Sequence, residues 1–466
     1  MKPTKLLLTL PLLACSTTLM AKQKQPNIII IMSDDQGYQD LSCYDSPLIK
    51  TPVIDKMASE GLRLTDFYQS ASVSSASRAG LLTGRLNSRN GVPKVYFPNE
   101  NGIPTEEITI AEMLRESGYA TACFGKWHLG DAEECMPLSK GFDEYFGIPY
   151  SNDMYISPLI PISENINFRD GYTMEIAVEE QKISAKGRGI AIKNKLRYKS
   201  PLVEGGEVIE FPCDQATLTR RYFDRAIEFV KKNKNQPFFT YITPAMPHDP
   251  LFASDQFLGT SERGLYGDCV EEIDWNIGRL LETLEEEGLL ENTIIVFTSD
   301  NGPSLAHGEG GGSALPLRDG KFKHYEGGVR VPFIIKWDGT IPAGVVSDAV
   351  VRSIDLFPTI MHYAGVKSIT HHLDGKNISI FLENPKKCKG LDEYVYVKDG
   401  NIVGVRKGDW IYLPYSGSVL MDGKGEAELF NIKENIAEDE NLIESNPKIL
   451  AEMKALFEAH LADNQQ

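Results

Sequence analysis

Paired cysteines, an excess of basic residues and long apolar runs are all scarce in this sequence of 466 residues. The seven cysteines are scattered and none forms a CxxC pair, so a thiolate zinc site is not predicted. Whether the six cysteines after Cys15 form disulfides or stay as buried thiols is left open. Acidic residues outnumber basic ones, 65 to 48, for a formal net charge of −17. A surface of that sign repels nucleic acid, so nucleic acid is excluded as a partner.

The N-terminus has the pattern of an export signal. Two lysines precede an apolar run at 6–14 that is too short to span a bilayer. Two processing sites compete: Leu12–Cys15 resembles a lipobox, whereas cleavage after Ala21 would release a soluble protein. We therefore expect residues 1–21 to be a signal and the protein to be exported. It would be periplasmic, or attached to the outer membrane or cell surface only through a lipid on Cys15.

Short apolar runs alternate with helical patterns along the first three quarters of the chain. The apolar runs are 27–32, 119–124, 237–243 and 293–298, and the helical patterns are 110–116, 216–232 and 271–287. Continuous β-branched runs suit strands that are buried on both faces of a sheet. Their alternation with helices predicts an α/β fold.

The pattern changes after about Gly365. Short alternating stretches follow at 393–397, 402–406, 410–413 and 428–431, and a last helical pattern runs from Pro447 to His460. They predict a smaller antiparallel sheet with a C-terminal helix. We expect a catalytic domain at 22–365 and a C-terminal subdomain at 366–466.

Polar residues follow each of the four predicted strands. They are Asp34, Asp35, Lys126, His128, His248, Asp300 and Asn301. Ligands in open α/β sheets bind beyond the carboxyl ends of the strands, so these residues predict one site. The aspartates and the asparagine form an all-oxygen set suited to calcium, with magnesium the lesser alternative. For the aspartate pair, the structural alternative is a helix cap.

The segment from Ser74 to Arg85 is rich in serine at its start. Residues 79–82 suit a helix, and the serines before them suit its N-terminus. Free N–H groups at a helix N-terminus favour an anion. From these residues alone, a Ser-rich cap and an anion site both stay open.

Ser74-x-Ala-Ser-Arg78, followed by Leu-Thr-Gly-Arg85, resembles the signature of the formylglycine-dependent sulfatases. In that family the first residue of a Cys/Ser-x-Pro/Ala-x-Arg motif is oxidised to an aldehyde. Other segments are similar to family motifs in the same order: 26–38, 125–130, 246–251, 264–274, 299–302, 317–321 and 325–330. The likeness favours the branch of arylsulfatase A and galactosamine-6-sulfatase.

The resemblance implies an alkaline-phosphatase-like fold, with a large mixed sheet flanked by helices. It also implies a calcium site, a formylglycine cofactor made from Ser74 by a maturation enzyme, and a set of catalytic residues. The calcium ligands would be Asp34, Asp35, Ser74, Asp300 and Asn301. The catalytic residues would be Ser74, Arg78, Lys126, His128, His248 and Lys321.

Sulfate esters suit this residue set. Three cations, Arg78, Lys126 and Lys321, would hold the sulfate oxygens. By resemblance, one hydroxyl of the aldehyde hydrate attacks sulfur and the second expels sulfate. His128 is then the base of the second step, and His248 with Lys321 the acid for the leaving oxygen.

The resemblance places the sugar less firmly than the sulfate. The expected substrate is a glycan with O-sulfated galactose or N-acetylgalactosamine units. Its expected contacts are Ser151, Asn152, Asp153, His307, Arg318 and Asp319.

Two other functions remain as alternatives. A phosphatase or phosphodiesterase of the alkaline phosphatase superfamily would use unmodified Ser74 on two zinc ions, but zinc-type Asp/His clusters are not evident. A non-catalytic carbohydrate-binding protein would have lost active-site residues, and none of the matched positions is degenerate.

Overall fold

The computed structural model describes residues 25–100, 102–415 and 425–465. The expected signal at 1–21 and the lipid site at Cys15 lie outside the described residues. The strands of the described part are β1 (Asn27–Ser33), β2 (Leu62–Leu64), β3 (Phe67–Tyr68), β4 (Ala120–Gly125), β5 (Glu144–Gly147), β6 (Ile162–Phe168), β7 (Leu202–Glu204), β8 (Glu207–Phe211), β9 (Phe238–Thr243), β10 (Thr293–Ser299), β11 (Phe333–Lys336), β12 (Val345–Ser347), β13 (Val351–Arg352), β14 (Glu393–Lys398), β15 (Asn401–Lys407), β16 (Trp410–Leu413) and β17 (Glu428–Asn431).

The helices agree with the three predicted helical patterns to within a few residues at most ends. They are α1 (Pro52–Ser59), α2 (Ser74–Thr83), α3 (Ile110–Glu116), α4 (Met174–Ser184), α5 (Arg188–Lys193), α6 (Gln215–Asn233), α7 (Leu265–Glu286), α8 (Glu326–Val329), α9 (Leu356–Tyr363), α10 (Ser379–Glu383) and α11 (Pro447–Asn464). The largest difference is in α7, which begins six residues before the predicted Glu271.

One mixed sheet of eleven strands forms the centre of the molecule, in the order β12-β2-β11-β10-β1-β9-β4-β5-β7-β8-β6. Its middle strands β10, β1, β9, β4 and β5 run parallel. Four of these are the apolar runs of the sequence. Ile28 and Ile30 pack into the core on one face of the sheet, and Ile29 and Ile31 into the core on the other. Burial on both faces explains why the runs are continuous, and the predicted α/β fold is confirmed.

Helix α7 fixes α1 through a buried carboxylate. Asp274 accepts hydrogen bonds from the backbone N–H groups of Val53 (3.2 Å) and Ile54 (2.8 Å) at the start of α1. These N–H groups have no partner within their own helix, so an acceptor there stabilises it. The contact holds α1 beside the sheet.

Strands β14–β17 form the predicted antiparallel sheet, and α11 packs on it. Glu438, just beyond this sheet, is fully buried against the large domain. Its carboxylate accepts the N–H of Glu326 (2.9 Å), and its backbone carbonyl accepts from Arg318 (2.7 Å). The two sheets therefore meet at the segment that carries Lys321. The boundary at 365/366 stays a prediction.

The cysteines of the described residues are all unpaired. Cys123, Cys135, Cys213 and Cys269 are buried, so the thiol alternative holds for them. Within the same part of the chain, no helix is long and apolar enough to cross a membrane.

Candidate active site

The carboxyl ends of the parallel strands bring the predicted polar residues to one edge of the sheet. The backbone continues the pairing past the strands: Asp300 N–H donates to Ser33 O, and Lys126 N–H donates to Thr243 O (2.8 Å). The residues after β1, β4, β9 and β10 are thereby held in register. The expected convergence of four distant segments is what the structure shows.

Carboxylate, amide and hydroxyl oxygens meet at the centre of this edge. Ser74 Oγ lies 3.3 Å from Asp34 Oδ1 and 3.4 Å from Asn301 Oδ1. Asp35 accepts from the Asn301 amide (2.7 Å), and its own N–H donates to Asp300 Oδ1 (3.0 Å). All five residues are at most 3% exposed. We call these five residues the oxygen cluster.

Asp34 and Asp35 do not cap a helix, because the chain after β1 continues as loop. Asp35 has a left-handed backbone (φ 58°). A non-glycine residue held there is strained, and such strain concentrates at functional sites.

Three buried cations pair with the carboxylates of the oxygen cluster. Arg78 binds Asp300 through Nε (3.2 Å) and Nη2 (2.9 Å). Lys126 Nζ lies 2.5 Å from Asp34 and 3.3 Å from Ser74 Oγ. Lys321 Nζ lies 2.7 Å from Asp35 Oδ2.

The donor set fits a hard divalent cation. Its carboxylate and amide oxygens are ligands that calcium prefers. Burial, followed by the nearby charge of Asp34, raises the pKa of Asp300. Buried carboxylates this close repel, and a cation would relieve the repulsion. Asp34, Asp35 and His248 also have ligand atoms within 4.8 Å of one another, so His248 borders the same space.

Ser74 is the first residue of α2, and the serines of this helix do not cap its N-terminus. Val73 occupies the cap position with an extended backbone and no side-chain cap. Ser75 Oγ accepts from the N–H of Tyr96 (3.1 Å), and Ser77 Oγ donates to Ala71 O (2.6 Å). The Ser-rich cap is therefore wrong, and the side chain of Ser74 points at the oxygen cluster.

His128 has one ring nitrogen without a partner. The ring is 2% exposed and Nε2 lies 3.1 Å from the carbonyl oxygen of Tyr96, which can only accept, so Nε2 carries the hydrogen. Nδ1 is buried without a hydrogen-bond partner in the described part of the chain. Burial, then the charges of Lys126 and Arg78, hold the pKa of His128 well below its usual value. A neutral ring with a free lone pair is suited to act as a base.

His248 lies next to Asp35. Its Nδ1 donates to the Asp249 carbonyl (2.6 Å), and its Nε2 is 3.2 Å from Ser151 Oγ and 3.6 Å from Asp35 Oδ2. Burial, then the charge of Lys321, lower the pKa of His248 to about 4. Its Nε2 is thus an acceptor in this structure, and Lys321 is the protonated group beside it.

The expected sugar contacts divide into two groups. Ser151 and Asn152 contact His248, and Asp153 forms an ion pair with Arg197 beside it. These residues line the side of the site on which His248 lies.

The remaining expected contacts lie farther out. His307 is on an exposed segment, with Nδ1 3.4 Å from Asp249 Oδ1. Arg318 packs on Tyr325, with its guanidinium 3.8 Å from the centre of the ring. Asp319 is partly exposed beside it. The roles of all six expected contacts stay predictions.

Sequence reasoning missed Tyr96 and Arg197. Tyr96 acts through its backbone carbonyl, which no side-chain pattern can reveal. Arg197 lies in the stretch between β6 and β8, where the sequence gives no motif.

Comparison with known proteins agrees with this geometry. The Sulfatase family model matches residues 26–366, and the model described as N-sulphoglucosamine sulphohydrolase, C-terminal, matches residues 318–464. The crystal structure of Ps i-CgsB in complex with k-i-k-neocarrahexaose is 32% identical with a TM-score of 0.77, covering 95% of this chain and 94% of that one.

Two curated relatives are similar over most of this chain. N-acetylgalactosamine-6-sulfatase of Rattus norvegicus is 38% identical over 377 residues, which are 77% of this chain and 66% of that protein. Arylsulfatase G of Mus musculus is 36% identical over 390 residues, covering 79% and 71%. The chain thus spans just under two thirds of the rat protein. Because the Sulfatase model covers well over half of the chain, this protein belongs to the sulfatase family.

Proposed function

We propose that this protein hydrolyses sulfate esters of glycans, with residue 74 as the nucleophile. The observation that carries the proposal is the position of Ser74 Oγ. It lies at the start of a helix, between the oxygens of Asp34 and Asn301 and the ammonium of Lys126. Helix N–H groups, cations and a nucleophile in one buried place suit attack on an anionic ester.

Plain serine would not sustain turnover. A sulfated serine is itself a stable ester, so the enzyme would stop after one cycle. We infer that a maturation enzyme oxidises Ser74 to formylglycine, whose hydrate carries a second hydroxyl for releasing sulfate. The family motif at residues 74–78 supports this inference.

Calcium is the proposed metal. Asp34, Asp35, Asp300 and Asn301 would hold it together with the oxygen on residue 74. Bound there, it would supply positive charge beside the sulfate oxygens.

The protein's own groups then have distinct tasks. Arg78, Lys126 and Lys321 hold and neutralise the sulfate oxygens. His128 takes a proton from residue 74 through its free Nδ1. Lys321, with His248 next to it, protonates the leaving oxygen; His248 takes part once the bound anion favours its charged form.

For the substrate we propose O-sulfated galactose or N-acetylgalactosamine, sulfated at O6 or O4. Support comes from the names of the relatives, N-acetylgalactosamine-6-sulfatase above all. The C-terminal match to a model named for N-sulphoglucosamine supplies the opposing hypothesis. We further propose that the protein is exported and is periplasmic or lipid-anchored at Cys15.

Two measurements on matured protein test the function. Mass spectrometry of the peptide that contains residue 74 should show the loss of two hydrogens relative to serine. A screen of sulfated sugars should show sulfate release from galactose or N-acetylgalactosamine 6- or 4-sulfate.

Two outcomes would contradict these assignments. Preferential release from N-sulfated glucosamine would reject the proposed substrate. Unmodified serine together with cleavage of phosphate esters only would favour the phosphatase alternative.

A further inference from the structure

A small cavity of about 90 Å³ lies beside the first turn of α2, where the small sheet meets the catalytic site. Val73, Pro93, Phe322 and Lys398 are among its lining residues. Val73 directly precedes Ser74, so the cavity adjoins the oxygen cluster without being part of it. None of the motifs of the sequence accounts for this cavity.

Lys398 is one of the residues that line the cavity. Its Nζ is buried and has no hydrogen-bond partner among the residues that the structure describes. Burial destabilises the charged form and lowers the pKa of Lys398, so its ammonium would be stabilised by an anionic partner. Lys323 is a second positive charge nearby, and Asp399 is the nearest acid, exposed to solvent. An anion entering the cavity would supply the missing partner.

The backbone holds Lys398 in this position. It is the last residue of β14, and Asp399 and Gly400 form a two-residue hairpin turn with positive φ angles of 48° and 77°. Turns of this kind match the twist of the flanking strands and are rigid. Gly400 packs so closely on Pro93 that an added Cβ would lie 3.0 Å from the Pro93 Cβ. The backbone at Lys398 is therefore held in place by this turn.

Phe322 forms an apolar rim between the cavity and the catalytic residues. Its side chain is 49% exposed although it neighbours Lys321, whose Nζ lies 5.3 Å from the ring centre. Its backbone is left-handed (φ 70°), and its N–H donates to Ser72 O (3.0 Å). A bulky residue kept in this strained conformation points to a functional constraint. An exposed ring here offers a flat apolar surface to a ligand.

We propose that this cavity is a second anion subsite, in which Lys398 binds a carboxylate or a second sulfate on the sugar next to the one that is desulfated. The sugar ring that carries this substituent would lie over Phe322. The inference rests on the proposed sulfatase function and narrows its substrate to a glycan with anionic groups on adjacent sugars.

The test uses three disaccharides that share the cleavable sulfate and carry a neutral group, a carboxylate or a second sulfate on the neighbouring sugar. In Lys398→Ala, the ratio of kcat/KM for a charged over the neutral disaccharide should fall about tenfold, mainly through KM. Lys398→Arg should keep most of that preference. Lys182→Ala, on an exposed lysine of α4, is the matched control. The charged disaccharide that shows the larger loss identifies the anion, and an equal loss for both means that the cavity recognises charge alone. An unchanged ratio in Lys398→Ala would overturn the proposal.

A binding experiment separates this proposal from the proposed function. Calorimetry on Ser74→Ala should give a Kd for a charged disaccharide about tenfold lower than on Ser74→Ala/Lys398→Ala. If the wild-type enzyme cleaves none of the three disaccharides, the proposed function is rejected while this difference still tests the subsite. Equal Kd values reject the subsite alone.

Discussion

The carbonyl oxygen of Tyr96 lies 3.1 Å from Nε2 of His128, and this one contact determines which nitrogen of the ring is free. A carbonyl accepts only, so the hydrogen is on Nε2 and the lone pair on Nδ1. The left-handed backbone of His128 (φ 63°) and its N–H bond to Pro149 O hold the ring at this angle. The base proposed for the second half of the reaction is thus oriented before substrate binds.

Replacing His128 should separate the two halves of the reaction. His128→Ala should release one equivalent of alcohol quickly and then stall with sulfate attached to residue 74, because no base remains to complete turnover. Rapid-mixing kinetics and intact mass measure the burst and the adduct. Ser74→Ala, the control, should show neither. Slow but steady turnover of His128→Ala without an adduct would shift the assignment to His248.

Removal of calcium should abolish turnover. On the proposed assignment, exhaustive chelation would leave the oxygen cluster without a cation, and readdition of calcium should restore activity more fully than magnesium. Asp300→Asn, which keeps the shape of the side chain, should lower kcat/KM by about 100-fold or more. Circular dichroism checks that the fold persists. Full activity after complete chelation would disprove the metal assignment.

Arg78→Lys should cost both stability and activity. Lysine cannot make the two-pronged contact of Arg78 with Asp300, and the buried carboxylate would be left poorly paired. We expect the free energy of unfolding to fall by about 3 kcal/mol. Denaturant unfolding measures it, with Arg115→Lys on the exposed face of α3 as control. Equal stability of the two variants would show that the two-pronged contact between Arg78 and Asp300 does not stabilise the fold.

The carboxylate of Asp274 should make stability depend on pH. Burial raises the pKa of Asp274 from 3.8 to about 7, against the opposing effect of its two backbone hydrogen bonds. The folded state therefore retains a proton that the unfolded state has lost, and this contribution to stability disappears as the pH rises from about 4 to 7. Asp274→Asn cannot ionise.

Unfolding curves of wild type and Asp274→Asn should therefore diverge with pH. The wild type should lose up to about 1.4 kcal/mol per pH unit relative to the variant within that window. Asp255→Asn, at an exposed position, should follow the wild type. Parallel profiles for wild type and Asp274→Asn would show that Asp274 is ionised throughout.

The middle of the large sheet was predictable because its strands are buried on both faces, which leaves an unbroken apolar run in the sequence. The site was predictable where side chains directly follow those strands, as for Asp34 and Asp300. Strands β6–β8 at one end of the sheet escaped prediction for two reasons. β7 and β8 are short, and the edge strand β6 has no fully buried residue. The start of α2 was placed too late, because tertiary contacts of Ser75 and Ser77 replace the caps that serines usually make.

Long-range contacts limited the prediction of the rest. Glu438 reaches Glu326 across 112 residues, and nothing in either local sequence indicates the pairing. The same holds for Lys398. Its strand was predicted, but the residues of the large domain that lie beside it were not. Such contacts depend on how the two sheets pack on each other. The local pattern of apolar and polar residues carries no information about this packing.

The burial of Ser74 also sets an order of events in time. Its side chain is 1% exposed and contacts Asp34, Lys126 and Asn301, which follow three separate strands of the sheet. An enzyme that oxidises Ser74 must bind the surrounding segment in its own active site. In the folded protein this segment is buried and cannot be bound in that way. On the proposed route, oxidation of Ser74 therefore competes with folding in the newly synthesised chain. A molecule that folds before oxidation keeps the serine hydroxyl permanently. Preparations expressed without timely maturation will therefore be mixtures, and their active fraction is set before folding is complete.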